Sequence, residues 1–322
     1  MLNLALFDRI DLRQRPMAQR FIADSFLRFD YRSLDIQVEG IERIPKRPCI
    51  LALNHTDAFN YWPLQYHLHR HYDQYTAAWV KGKNFEQPFV AYFMRVTNNI
   101  PLPSRGYLVT RDFLSAVGRA PTDDEYRVVR DAFNAGTPIE EGVPRELLER
   151  PRDILGQRFD PQGEDYIATM ESLFESMMAS FVRINEHALS IGLHLLVYPE
   201  GTRSVQLSRG RGGIGQMALH LNVPIVPIGC SGGDLIYPTK APFSKPGRIV
   251  YRIGDAIEPG ELDSLRPDEP YAPFTRGADA HVDAFQQVAD ITMDRINTLV
   301  DDRHRFSEDK VSLGVSGASR FL

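Results

Sequence analysis

Cysteine is nearly absent from this 322-residue chain: Cys49 and Cys230 lie far apart, each inside an apolar run. That excludes a disulfide framework and any metal-binding Cys spacing, and it points to a reducing cytosol. Long apolar runs are missing as well. No stretch approaches the roughly 20 residues that a membrane-spanning helix needs, so a membrane would be met from one side only. The N-terminus lacks the charged-then-apolar layout of a signal peptide, which makes the cytoplasmic face the expected location. Charge of neither sign dominates: 37 Lys and Arg against 42 Asp and Glu leave a net charge of −5. Nothing there marks a general nucleic-acid binder. Internal repeats and low-complexity tracts are absent too. What remains, 43% hydrophobic and 25% charged residues, is the profile of a soluble globular protein, long enough for one large α/β domain or two smaller ones with a sizeable core.

The most informative stretch is Tyr198-Pro199-Glu200-Gly201-Thr202-Arg203-Ser204. It follows His194-Leu195-Leu196-Val197, an apolar run that reads as a buried strand. A carboxylate, a glycine, two hydroxyls and a guanidinium then share five consecutive positions. Arginine presents a planar fork that matches phosphate or carboxylate, and glycine lets backbone approach a ligand. Arg209 and Arg211 follow among glycines. A strand end, anion-grasping groups and a basic loop in succession suggest a phosphate-bearing substrate. The alternative is a polar turn in which Glu200 and Arg203 pair with each other.

In chain order, residues 2–7 are apolar with one break, and Pro16 opens a helical segment. There Ala18, Ile22, Phe26 and Phe29 recur at helical spacing beside Met17 and Phe21. This amphipathic pair over residues 1–33 is read either as packing on the core or as an interfacial anchor with arginines toward lipid headgroups. Strands are expected at 34–39, 49–53, 76–82, 98–103, 194–197, 223–228 and 248–253. Pro224 and Pro227 argue for an edge or irregular strand at 223–228. Residues 119–165 change character and read as an inserted lid or loop region with short helices. Helical spacing returns over 166–191, 214–221 and about 279–303, and Gly314 to Leu322 are expected to fray. The expected architecture is a mixed α/β fold with a central β-sheet flanked by helices. A single α/β domain would occupy 34–265, with a C-terminal helix and tail over 266–322.

Four blocks carry a resemblance. Asn54-His55 follows a strand, Arg105 sits beside Gly106 after another, Tyr198–Ser204 is the third, and Val223-Pro-Ile-Val-Pro-Ile228 the fourth. In this order they make the chain similar to the glycerolipid acyltransferases that form phosphatidic acid from lysophosphatidic acid. The resemblance spans residues 50–230. It implies transfer of an acyl group from acyl-CoA or acyl-carrier protein to a lysophospholipid, without metal or bound cofactor, by a protein peripheral on the inner membrane face. His55 would be the general base. Arg105 and Arg203 would hold the acceptor phosphate with Arg209 or Arg211 assisting, while Glu200 and Gly201 shape the pocket and Thr202 touches the anion.

The family pattern places an aspartate five residues after the histidine; this chain has Asn60. A carboxylate fixes the histidine tautomer and stabilises the imidazolium, whereas an amide oxygen only orients. Three readings compete. Asn60 suffices as orienter, which is the preferred one; Asp57 supplies the carboxylate, although its position also suits a helix N-cap; or catalysis has been lost and the site only binds lipid. A rival chemistry comes from Gly229-Cys230-Ser231-Gly232-Gly233, which matches the nucleophile elbow of serine hydrolases, with Asp234 and His281 or His304 as partners. The prolines soon after it disfavour the helix that an elbow requires.

Overall fold

The computed structural model describes residues 1–239 and 241–310; the expected fraying at 314–322 lies outside them. A seven-stranded sheet runs in the order β1-β9-β8-β2-β7-β3-β4. Its strands are β1 (Leu34–Glu39), β2 (Ile50–Leu53), β3 (Thr76–Lys81), β4 (Asn99–Leu102), β7 (His194–Val197), β8 (Ile225–Ser231) and β9 (Gly247–Ile253). A separate hairpin joins β5 (Arg152–Ile154) to β6 (Gln157–Phe159). Five neighbouring strands, β8, β2, β7, β3 and β4, are mutually parallel. Their C-terminal ends therefore share one rim, where open α/β sheets place ligands. Strand β2 is buried on both faces: Ile50 and Ala52 enter one core, Leu51 and Leu53 the other. That is the strand period of two at work, and it explains the unbroken apolar run.

Strand β8 corrects the edge expectation, for it lies inside the sheet between β2 and β9 and is buried throughout. Pro227 is tolerated because its carbonyl faces β9, accepting from Gly254 N–H at 2.9 Å. Its ring nitrogen turns the same way, away from β2, so the parallel ladder to β2 loses no donor.

The helices cover both faces. They are α1 (Leu4–Phe7), α2 (Met17–Ile22), α3 (Arg28–Asp30), α4 (Trp62–Tyr72), α5 (Pro88–Val96), α6 (Arg105–Val117), α7 (Asp123–Ala135), α8 (Arg145–Glu149), α9 (Tyr166–Ser190), α10 (Gly213–Leu221), α11 (Gly233–Ile236), α12 (Arg276–Asp279) and α13 (Val282–Leu299). A π-turn at Ala23–Leu27 joins α2 to α3, with Arg28 N–H reaching back to Ala23 O. The wider turn rotates the stripe read from sequence. Ala23, Leu27 and Tyr31 are buried, while Met17, Phe21 and Phe29 are 72%, 73% and 68% exposed. The 119–165 segment is more ordered than a loop. Helix α7 runs 13 residues from a capping box between Thr122 and Glu125. The hairpin is pinned by a buried Arg152–Asp112 ion pair at 2.6 Å, to which Tyr166 adds a hydrogen bond. The C-terminal helix stops at Leu299, short of the expected 303. A 3-10 turn at Asp302–His304 then carries the chain back across the rim. Among the described residues no helix is long and apolar enough to cross a membrane.

Candidate active site

The site begins where β2 ends. Asn54 locks β2 to β8 by a paired contact: its Oδ1 accepts from Cys230 N–H at 2.6 Å and its Nδ2 donates to Cys230 O at 3.0 Å. The next residue, His55, is bracketed by the loop after β7. Its backbone N–H donates to Glu200 Oε2 at 3.0 Å, and its carbonyl accepts from Ser204 N–H at 2.9 Å. The first and third sequence blocks are thus fastened to each other through main-chain groups of His55, which leaves the imidazole free of that task.

Glu200 does the fastening. It is 2% exposed, and its other oxygen accepts from the Ser208 N–H at 2.9 Å and hydroxyl at 3.2 Å. Burial raises its carboxyl to about 7, against the pull of those donors. Both oxygens are turned to protein donors, so within the predicted phosphate group Glu200 serves as the bracket. Gly201 makes the tight turn with φ 66°, and a Cβ there would meet Arg211 Nε at 3.1 Å. Arg211 closes the loop through its own amide to Pro199 O and its Nε to Glu200 O. Thr202 is buried beside it.

The His55 ring stacks face to face on Tyr198, with centroids 3.9 Å apart and planes 17° from parallel. His55 keeps some exposure at the rim, but its Nδ1 is closed off from solvent and has no hydrogen-bond partner. Asn60 and the Asp57 backbone face the ring and favour its protonation, yet neither meets Nδ1 in hydrogen-bond geometry. Burial, followed by the positive charges of Arg203 and Lys81, pushes the imidazole down to about 3. At neutral pH the His55 imidazole is therefore uncharged. Lys81 was not anticipated from sequence; it ends β3 at the same rim, by the logic that singled out His55 and Arg203.

Asn60 is fully buried. Its Nδ2 donates to Asn54 O at 2.8 Å, its Oδ1 accepts from Tyr198 O–H at 3.0 Å, and its backbone carbonyl accepts from Tyr251 O–H. Asp57 accepts from Phe59 N–H at 2.7 Å and from Thr56 O–H at 2.9 Å, and burial raises its carboxyl to about 6. It caps a turn rather than a helix, since α4 starts only at Trp62 with Tyr61 as its N-cap.

The arginines divide. Arg203 is exposed, and its charge acts on His55. Arg209 is committed to Asp290 on α13 at 3.0 Å. Arg105 opens α6 at the end of β4, with β7 and β3 between its strand and β2. Its guanidinium packs over Phe133 and Phe174 and reaches Asn134 at 3.4 Å, while Nε is buried without a partner. Its contacts are with α7 and α9, not with the His55 loop.

The hydrolase geometry does not form. Ser231 lies within β8, and its buried Oγ accepts from Asp301 N–H at 3.0 Å. His304 Nδ1 meets Val205 O at 2.8 Å and its Nε2 accepts from Gly232 N–H at 3.2 Å; His281 packs on Tyr271 and Phe285. Neither imidazole pairs with Ser231, and α11 is a single four-residue turn. Among the described residues no group of three His, Cys, Asp or Glu side chains converges as a metal site.

A neutral histidine at a sheet rim, beside cationic side chains and braced by a buried glutamate, can accept a proton from an alcohol attached to an anionic group. A search of curated proteins finds no match. Among solved structures the chain is similar to the crystal structure of the 1-acyl-sn-glycerophosphate (LPA) acyltransferase PlsC from Thermotoga maritima. The two share 18% identity over 89% of this chain and 86% of that one, with a TM-score of 0.40. The profile of the Acyltransferase family matches residues 35–143 and 158–231, more than half of the chain. Because that match takes in the His55 loop, the Glu200 bracket and the strands that carry both, the chain belongs to the Acyltransferase family.

Proposed function

We propose that this protein transfers a fatty acyl group from a thioester donor, acyl-CoA or acyl-carrier protein, to the free hydroxyl of a lysophospholipid of the lysophosphatidic acid type. His55 is the general base. It takes the hydroxyl proton as the oxygen attacks the thioester carbonyl; the C–S bond then breaks, and the departing sulfur receives the proton back from the imidazolium. Arg203, with Lys81 nearby, holds the acceptor phosphate, and fixing both reactants supplies much of the rate. Arg105 contributes to the same anion only if the acceptor reaches across β7 and β3. The observation that carries the reading is the uncharged imidazole beside Arg203, held by its main chain between Glu200 and Ser204. Peripheral membrane attachment is supported by the exposed apolar side chains of α2 and α3, and by Phe89 and Tyr92 on α5. An interfacial helix buries such a face among headgroups.

A second reading, a lipid-binding member with impaired catalysis, is favoured by the missing acceptor at His55 Nδ1. One experiment separates the two: mass-spectrometric assay of purified protein and its Asn60→Asp variant against a panel of lysolipids with acyl-CoA and acyl-carrier-protein donors. Turnover by the wild type, kept or raised in the variant, supports the enzyme. Absence of product from both supports binding alone.

A further inference from the structure

Both polar atoms of the Asn60 amide are committed to partners other than His55. Asn54 takes its N–H and Tyr198 supplies a donor to its oxygen, while His55 Nδ1 is left without an acceptor. The usual device, a carboxylate that steadies the base and its imidazolium, is therefore lacking. One side chain contacts both the ring and the amide. Tyr198 lies flat on His55 at 3.9 Å and 17°, and its hydroxyl ends on Asn60 Oδ1 at 3.0 Å. Burial raises the phenol well above its ordinary pKa, so it stays protonated and acts as the donor of that bond.

We propose that Tyr198 is the positioning residue of His55, taking the place of the carboxylate: its ring fixes the imidazole plane and its π-face stabilises the imidazolium, while its hydroxyl holds Asn60 in place. An aromatic face attracts a cation most strongly where water is excluded, and the stacked Tyr198 ring shields one face of the imidazole from water. Because Tyr198 immediately follows β7, the strand that pairs with β2, the stack is set by the sheet and requires no loop closure. The inference rests on the reading of His55 as base.

The test is steady-state kinetics of the full-length protein with acyl-CoA and lysophosphatidic acid. Tyr198→Leu removes ring and hydroxyl. It is expected to lower kcat about 10- to 30-fold, the size of a desolvated cation–π contact, with KM for both substrates changed less than about threefold. Tyr198→Phe, which keeps the ring and the fold, is expected to lose only a few-fold. Tyr198→Leu combined with Asn60→Asp is expected to recover most of the loss, because a carboxylate then faces Nδ1; a residue that merely fills space would show no such rescue. A kcat for Tyr198→Leu within about threefold of wild type, or a loss that Asn60→Asp leaves untouched, overturns the proposal. His55→Ala run alongside separates the two layers. If it retains full turnover, the base assignment has failed; if it is inactive while Tyr198→Leu is not, only the role of Tyr198 falls.

Discussion

Replacing Glu200 by glutamine probes the bracket directly, because the change conserves shape and alters only acceptor count. The carboxylate receives His55 N–H on one oxygen and Ser208 N–H with its hydroxyl on the other. Glutamine has one acceptor oxygen, so whichever way its amide turns, an NH2 confronts a backbone N–H. One hydrogen bond is lost and one buried donor is stranded, at a cost of about 1–3 kcal/mol. At roughly 2–4 °C per kcal/mol for a large domain, Tm should fall by about 4–8 °C for a mid-range loss. If the NH2 faces His55, the imidazole shifts, and on the proposed role of His55 a displacement near 1 Å is worth about a hundredfold in rate. The pH dependence has a definite sign. Burial raises the carboxyl from its ordinary 4.5 to about 7, so the fold favours the protonated form. Its stabilising contribution is full below about 4.5 and is lost as pH rises through 7, on the order of 3 kcal/mol. The wild-type advantage over glutamine, followed by calorimetry and initial rates, should therefore narrow between about pH 5 and 8. A variant with unchanged Tm and kcat, or a gap independent of pH, would refute the bracket.

Two further outcomes follow from how the site's side chains are committed. Arg203→Ala should raise KM for a phosphate-bearing acceptor about 10- to 100-fold, the loss of a charge-assisted contact. Arg209→Ala should change KM less than about threefold, since its exposed pair with Asp290 is worth about 0–1 kcal/mol; equal effects in the two variants would contradict this division. Ser231→Ala should keep acyl transfer and lose roughly 1 kcal/mol of stability with the Asp301 bond. An esterase activity abolished by that change would restore the nucleophile elbow.

Elements buried on both faces were the most legible in sequence. Ile50–Leu53 and His194–Val197 are unbroken apolar runs because the sheet is covered on each side. Strand β8 misled because a proline is judged by its neighbours: only the sheet order reveals that Pro227 turns its carbonyl and ring nitrogen toward the β9 side and away from β2. The π-turn at Ala23–Leu27 was invisible for a similar reason, since periodicity arguments assume 3.6 residues per turn. Helix α7 could have been found from its Thr122–Glu125 capping box. In the site, residue types announced an anion and a base, but tertiary pairing assigned their work. Glu200 faces two backbone amides, Asp57 closes a turn, Arg209 leaves for α13, and Lys81 joins from a strand that carried no motif.

The central claim is that the His55 imidazole, uncharged at neutral pH, removes the acceptor's proton. Acyl transfer to lysophosphatidic acid by His55→Ala, measured alongside wild type with the fold checked by circular dichroism, meets that claim most directly. A fall in kcat of about 10²- to 10⁴-fold, the usual contribution of a positioned base, is the predicted result. Turnover within tenfold of wild type by a correctly folded variant would contradict it.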